Sequence, residues 1–357
     1  FIPSVKEWKE AYEKAKEDKK TARELESDPT KTANEDEGAS KRKVDNIIRR
    51  RRHLILIAQN QVGLNNIFKM ISTSFQGDNF YRYPRVDYDL MSKHSEGVIA
   101  ASACLGGVYA GDYWDNRDDG EEAILSAMRH TTKQMQDVFG ERWYGELQWN
   151  NIPEQHELNK YVLKMKDEFG LDVISTADSH YPTPTAWKDR ELYKRLGFLN
   201  RPKKPEWMTS ELPDGVAEIG YELYPKNGDQ MWESYKKYSE ECGVEYDGQT
   251  VYDSLTSTHW IAHELIEDFM PDDTVRLPGF VVPENQTATQ ALARACIDGL
   301  TELKLQNQDE YINRLKHELH VIDDRGFSKY FLTMKAIADK ANENMLSGPG
   351  RGSAAGS

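Results

Sequence analysis

Three cysteines in 357 residues, Cys104, Cys242 and Cys296, are too few and too scattered for a disulfide framework or a paired-cysteine zinc site. They fit a reducing, cytoplasmic setting. No apolar run approaches the roughly 18 residues that a membrane-crossing helix needs. The opening FIPSVKEWKE has no basic stretch followed by an apolar one, so it does not read as a secretory signal, and it lacks an initiating Met. An excess of positive charge is missing too. Lys and Arg number 46 against 60 Asp and Glu, for a net charge of −14, which excludes a protein whose whole surface wraps nucleic acid but leaves room for a local nucleotide site. Hydrophobic residues make up 38% and the mean hydropathy is −0.76, toward the polar end of soluble globular chains. No internal repeat is visible.

The length suits about two domains. From Lys16 to Arg52 both charge signs mix with almost no apolar residues, which reads as a solvated insertion whose Arg49 to Arg52 end could touch a phosphate backbone. After it, short apolar runs alternate with helix-length segments. HLILIA (53–58) is followed by a helical pattern with Leu64, Ile67, Phe68 and Ile71 on one stripe. GVIAAS (97–102) precedes a helix with Ile124, Met128 and Met135 near one face. YGELQ (144–148) leads to a helix with Leu158, Val162, Met165 and Phe169 in line and Gly170 as its stop, and LDVIST (171–176) is a fourth strand. Such alternation implies an α/β layer structure with much parallel pairing, doubly wound or barrel, in which chemistry collects where strands end. From about Pro182 the alternation gives way to a connecting region to about 270 in which helices dominate. Beyond a Pro-flanked boundary (275–290) three helices are expected. They span about 288–304; 309–324, with Ile312, Leu315, Leu319 and Ile322 inward and Gly326 as stop; and 328–343, with Phe331, Met334 and Ile337 inward.

Two strands end in chemistry-bearing residues. On an extended segment Asp178 and His180 leave the same face, so carboxylate and imidazole can converge on one ion or simply hydrogen-bond within a loop. Cys104 in SACLGG is either a thiolate ligand of the same cluster or a small buried hydrophobe. His53 opens its strand, so it joins the other two only if that strand runs in reverse. Glu146 either joins a metal cluster or pairs with a lysine, and His317 with His320 reads as part of a solvated helix face. The terminal SGPGRGSAAGS is not a Walker A loop and matches a dinucleotide fingerprint only loosely. As a glycine turn at a helix start, with Arg351, Gly352 and Ser353, it would face a nucleoside triphosphate. The remaining reading is a plain Gly-rich turn or tail.

Taken in order, HLILIAQN, HSEGVIAASACLGG, GELQWNNIPEQ, ADSHY, LPGFVVPENQTA, RGFSKYFLTM and GPGRGSAAGS resemble the α subunit of bacterial replicative DNA polymerase III, the C-family polymerases. The resemblance runs from about His53 to Ser357 and is weak through 182–270. It implies an N-terminally truncated polymerase-and-histidinol-phosphatase (PHP) domain over 1–270, a distorted TIM-like β/α barrel. Over 271–357 it implies the start of a polymerase-β-like nucleotidyltransferase palm, cut before its catalytic Asp pair. His53, Cys104, Asp178 and His180 match PHP metal ligands, for Zn²⁺ or Mn²⁺, in a site that serves 3′–5′ exonuclease activity in some members and structure in others. Arg351, Gly352 and Ser353 match the motif that grips the incoming triphosphate. The implied parent reaction is template-directed addition of dNTPs to a primer 3′-OH with Mg²⁺. Primer-template DNA, a sliding clamp and a proofreading subunit are the implied partners, and the fragment by itself is expected not to polymerise. The PHP pattern's first His-x-His pair and the histidine that often follows GELQ are absent. The rivals are a stand-alone PHP phosphoesterase and a non-catalytic scaffold.

Overall fold

The computed structural model describes residues 1–26, 51–197, 199, 222–274, 276, 279–282, 284–346 and 348. The chain divides into two compact units, Phe1–Pro271 and Asp272–Ser357. The first opens with α1 (Val5–Glu26), whose Val5 and Trp8 are buried with Ile2 while the Arg85 guanidinium lies 3.6 Å from the Trp8 ring centre. The side chain of Asp87 accepts the Val5 N–H and so satisfies one free donor of the helix start. This helix runs well into the charged stretch expected to be a solvated insertion from Lys16. Helical spacing of a few early apolar residues is enough to dock its first turns, and the polar residues that follow extend it. Residues 27–50 lie outside the described residues.

A four-stranded sheet carries the unit: β1 (Ile55–Ala58), β4 (Val98–Ala101), β5 (Trp143–Gln148) and β6 (Asp172–Thr176), in that spatial order. Between β1 and β4 come α2 (Gln61–Ser74), a two-residue hairpin ladder of β2 (Phe80–Tyr81) and β3 (Tyr83–Pro84), and α3 (Tyr88–Lys93). β4, β5 and β6 are parallel, with α4 (Val108–Asn116) and α5 (Glu121–Phe139) between the first two and α6 (Pro153–Phe169) between the last two. β1 is antiparallel to β4, pairing Ile55 with Ala101 and Ala58 with Val98. The main core fills one face with Val98, Ala100, Trp143, Leu147, Met128, Met135, Leu158, Val162 and Met165, as the helical stripes of α5 and α6 predict. Gly170 closes α6 in the left-handed region. Beyond β6 lie α7 (Trp187–Leu196), α8 (Gly228–Glu241) and α9 (Gly248–Trp260). One π-turn (Ile261–Leu265) then packs Ile261 against Ile99, Ala101, Tyr144 and Ile174 on the other sheet face.

The facing of α2 departs from its sequence pattern. Phe68 and Ile71 are 52% and 50% exposed, whereas Gly63, Asn66, Met70 and Ser74 are buried. Close backbone approach decides this: a Cβ on Gly63 would sit 1.7 Å from the Gly97 carbonyl oxygen, and the Asn66 amide donates to the Glu96 carbonyl.

The second unit holds α10 (Ala288–Glu302), α11 (Asp309–Asp324) and α12 (Ser328–Asn344). Thr287 and Gln290 form a reciprocal cap at the start of α10, and Gly326 follows α11 with φ 71°. Ile312, Leu315, Leu319 and Ile322 are half-buried. Phe331, Met334 and Ile337, expected inward, are exposed, and α12 instead buries Ser328 and Leu332. Periodicity sets the stripe but not which neighbour covers it, and α12 turns its Leu332 side inward within this unit.

Candidate functional site

The strand ends of the parallel sheet are tied together by one turn and one carboxylate. After β4, Ser102 N–H donates to the Tyr144 carbonyl, and the Ser102 hydroxyl accepts the Glu146 N–H at 2.8 Å. Ala103 adopts φ 62°, a region costly for a residue with a Cβ, and its N–H donates to Glu146 Oε1 at 2.8 Å. Gly107 closes the turn by donating to the Cys104 carbonyl. A Cβ there would lie 2.0 Å from the Ser102 oxygen, so glycine is required.

This turn presents Cys104 to His53. Because β1 is antiparallel, its leading residue sits at the rim where β4 ends: His53 N–H donates to the Gly106 carbonyl, and His53 Nδ1 lies 3.6 Å from Cys104 Sγ. A tetrahedral zinc held by one thiolate and one imidazole would set S and N roughly 3.5 Å apart, so this pair has the span of two ligands of one ion. Burial pushes the Cys104 thiol up, with the Gly106 backbone opposing and the nearby Asp178 carboxylate adding to the rise. A bound cation would reverse that balance.

Asp178 has φ 45°, so the chain turns there rather than continuing extended, contrary to the premise that placed Asp178 and His180 on one strand face. They still meet: His180 Nδ1 lies 3.9 Å from Asp178 Oδ2 and 2.7 Å from the Asp178 carbonyl. A carbonyl only accepts, so Nδ1 carries a proton, and in the neutral ring Nε2 is the nitrogen that offers a lone pair to a ligand. The His180 N–H donates to the Leu223 carbonyl, which fixes the loop.

Glu146, 4% exposed, pairs with no lysine among the described residues. Its second oxygen accepts the Thr176 hydroxyl at 2.7 Å, so one carboxylate joins the ends of β4, β5 and β6. Burial raises its pKa, the bonds from Thr176 and Ala103 counter this, and Asp178 adds to the rise. On the same strand face the Gln148 amide donates to Thr176, and its Oε1 is buried with no hydrogen-bond partner among the described residues. Sequence reasoning missed Ser102, Gln148 and Thr176; two polar residues alternating in the otherwise apolar β5 were the available signal.

The rim thus brings His53 to Cys104, Cys104 to Asp178, and Asp178 to His180. Among the described residues, no group of three or more His, Cys, Asp or Glu is arranged to hold a metal ion. His317 and His320 are exposed on α11. Arg351, Gly352 and Ser353 lie outside the described residues.

Comparison with known proteins shows two family matches. Residues 6–150 match the PHP domain, and residues 290–357 match the bacterial DNA polymerase III alpha NTPase domain. The chain is related to the DNA polymerase III α subunits. It is 32% identical over 313 residues to that subunit from Aquifex aeolicus, covering 85% of this chain and 25% of that protein. With the Borreliella burgdorferi subunit the identity is 30% over 325 residues, covering 88% and 25%. With the Thermus aquaticus subunit it is 26% over 344 residues, covering 85% and 28%. The chain therefore spans about a quarter of the length of these α subunits. Along the chain the match to the PHP domain precedes the match to the alpha NTPase domain, and no described helix is long and apolar enough to cross a membrane.

Proposed function

We propose that this chain is part of a replicative DNA-directed DNA polymerase that adds dNTPs to a primer 3′-OH on a template. Residues 1–270 are its PHP domain on a distorted β/α barrel, and residues 271–357 begin a polymerase-β-like palm. In this reading Arg351, Gly352 and Ser353 grip the triphosphate, and Mg²⁺ serves the transfer. Primer-template DNA, a sliding clamp and a proofreading subunit are partners in the cytoplasm. The order of the two family matches supports the polymerase context.

The PHP rim is read as a metal-dependent 3′–5′ exonuclease site with His53, Cys104, Asp178 and His180 as its donors. One observation carries this: His53 precedes β1 and Cys104 follows the oppositely directed β4, yet their donor atoms stand at the separation of two ligands. A bound Zn²⁺ or Mn²⁺ would supply Lewis-acid activation of a phosphodiester and of water. The chain's own part is positional: Glu146 holds the Ala103 turn beside Cys104 and anchors Thr176 near Asp178, and His180 leaves Nε2 free.

A second reading, the PHP unit as a brace without hydrolysis, is favoured by the lack of a three-ligand group among the described residues. Metal analysis and 3′-end trimming of labelled DNA, both made on a polypeptide of the relatives' length carrying this chain, separate them. Stoichiometric zinc or manganese lost in Asp178→Asn with His180→Ala, together with trimming, supports the exonuclease. Metal-free protein that still extends primers leaves the brace. Failure to extend primers overturns the polymerase assignment itself.

A further inference from the structure

The geometry points to a second, separate metal site: a surface chelate for a tetragonal divalent transition-metal ion, made by His259 and His263 where α9 widens into its π-turn. The two rings are exposed, with centres 4.3 Å apart and planes inclined at 43°. Residues four apart lie on one helix face, which puts both imidazoles on the same side. With metal–nitrogen bonds of about 2.0–2.1 Å, two imidazoles bound at right angles have ring centres roughly 4.5 Å apart, whereas a tetrahedral angle opens that to roughly 5.2 Å. The observed spacing is within reach of either angle, and an imidazole pair with open equatorial positions suits square-planar or tetragonal Cu²⁺ and Ni²⁺.

The pair is held rather than floating. The π-turn is closed by the Ile266 N–H donating to the Ile261 carbonyl at 3.0 Å. Ile261, with Leu265 and Ile266 beside it, is anchored on the sheet face of Ile99, Ala101, Tyr144 and Ile174. A π-turn is a rare departure from the α-helix that concentrates at functional positions. Here the apolar residues go inward, so the imidazoles on the outer side meet the metal without rearranging the backbone. Two imidazoles complete only part of a coordination sphere, and water fills the remaining positions.

The test uses the 357-residue chain titrated with Ni²⁺ in a calorimeter, and with Cu²⁺ followed by electron paramagnetic resonance. One ion with two equatorial nitrogens is expected beyond any ion held at the strand-end rim. His259→Ala or His263→Ala alone should weaken it by about tenfold or more and leave a single-nitrogen signature. His317→Ala with His320→Ala should change nothing. Cys104→Ser reports any separate binding at the strand-end rim, which the His259 and His263 variants leave in place. Both positions are exposed, so far-UV circular dichroism of the variants should match the parent. Wild-type protein that binds no Ni²⁺ at micromolar concentration overturns the proposal, as does a double His259→Ala/His263→Ala variant that binds unchanged.

Discussion

Glu146 shows how much a single side chain can organise. Its two oxygens take the N–H of a residue at φ 62° and the hydroxyl of Thr176, and its own N–H goes to Ser102. Glu146→Ala strands a buried donor in a strained turn, and a loss of about 2–4 kcal/mol is expected by urea unfolding. Glu146→Gln keeps one oxygen and should lose less. Asp112 makes a pH prediction. Burial lifts its pKa from 3.8 to about 6, against the opposing pull of Thr131 and Arg52. The folded state therefore holds a proton that the unfolded state has released, and stability falls as pH rises from about 4 to about 6. Asp112→Asn should flatten that decline in chemical denaturation. At this scale the sequence is suggestive and incomplete. Candidate ligands can be picked by residue type at strand ends, but the partner of Glu146 cannot. Three strands must be in register before its choice between a lysine and a strained amide is made.

Among the elements, strands and helices are legible because apolar spacing sets them; the burial of α5 and α6 follows their stripes directly. The facing of α2 is not legible, since Gly63 and Asn66 set its close approach to the sheet and only Met70 of its large apolar side chains is fully buried, while Phe68 and Ile71 are left outside. In an ordinary helix Gly→Ala stabilises by about 1 kcal/mol. Gly63→Ala should do the reverse and destabilise by about 3 kcal/mol or more, because the new methyl meets a carbonyl that the β4 entry holds in place. Phe68→Gln on the outer face should stay within about 0.5 kcal/mol of the parent. Paired denaturation curves of the two variants test the facing directly. The direction of β1 is a further property no single-strand pattern encodes, and it decides whether His53 takes part in the rim at all.

For the whole molecule, the two units differ in what they bury. Phe1–Pro271 contains the sheet and a large apolar core, whereas the described part of Asp272–Ser357 buries only Leu292 and Leu332 among its apolar side chains. Residues 1–271 produced alone should unfold cooperatively and keep near-ultraviolet dichroism. Residues 272–357 alone should keep helical far-ultraviolet signal and bind a hydrophobic dye without a sharp thermal transition. A sharp transition in the smaller piece would contradict that account.

The reversed β1 also determines what is mechanically attached to the rim. His53 leads its strand instead of trailing it, so the charged stretch that ends at Arg52 joins the site through a single peptide bond. Arg52 itself is tied by its backbone to Phe1 and by its guanidinium to Asp115. A pull or a length change in that stretch is therefore met first by the Arg52 clasp. The clasp works as a strain relief of the kind fitted where a cable enters an instrument, and it keeps His53 in its place.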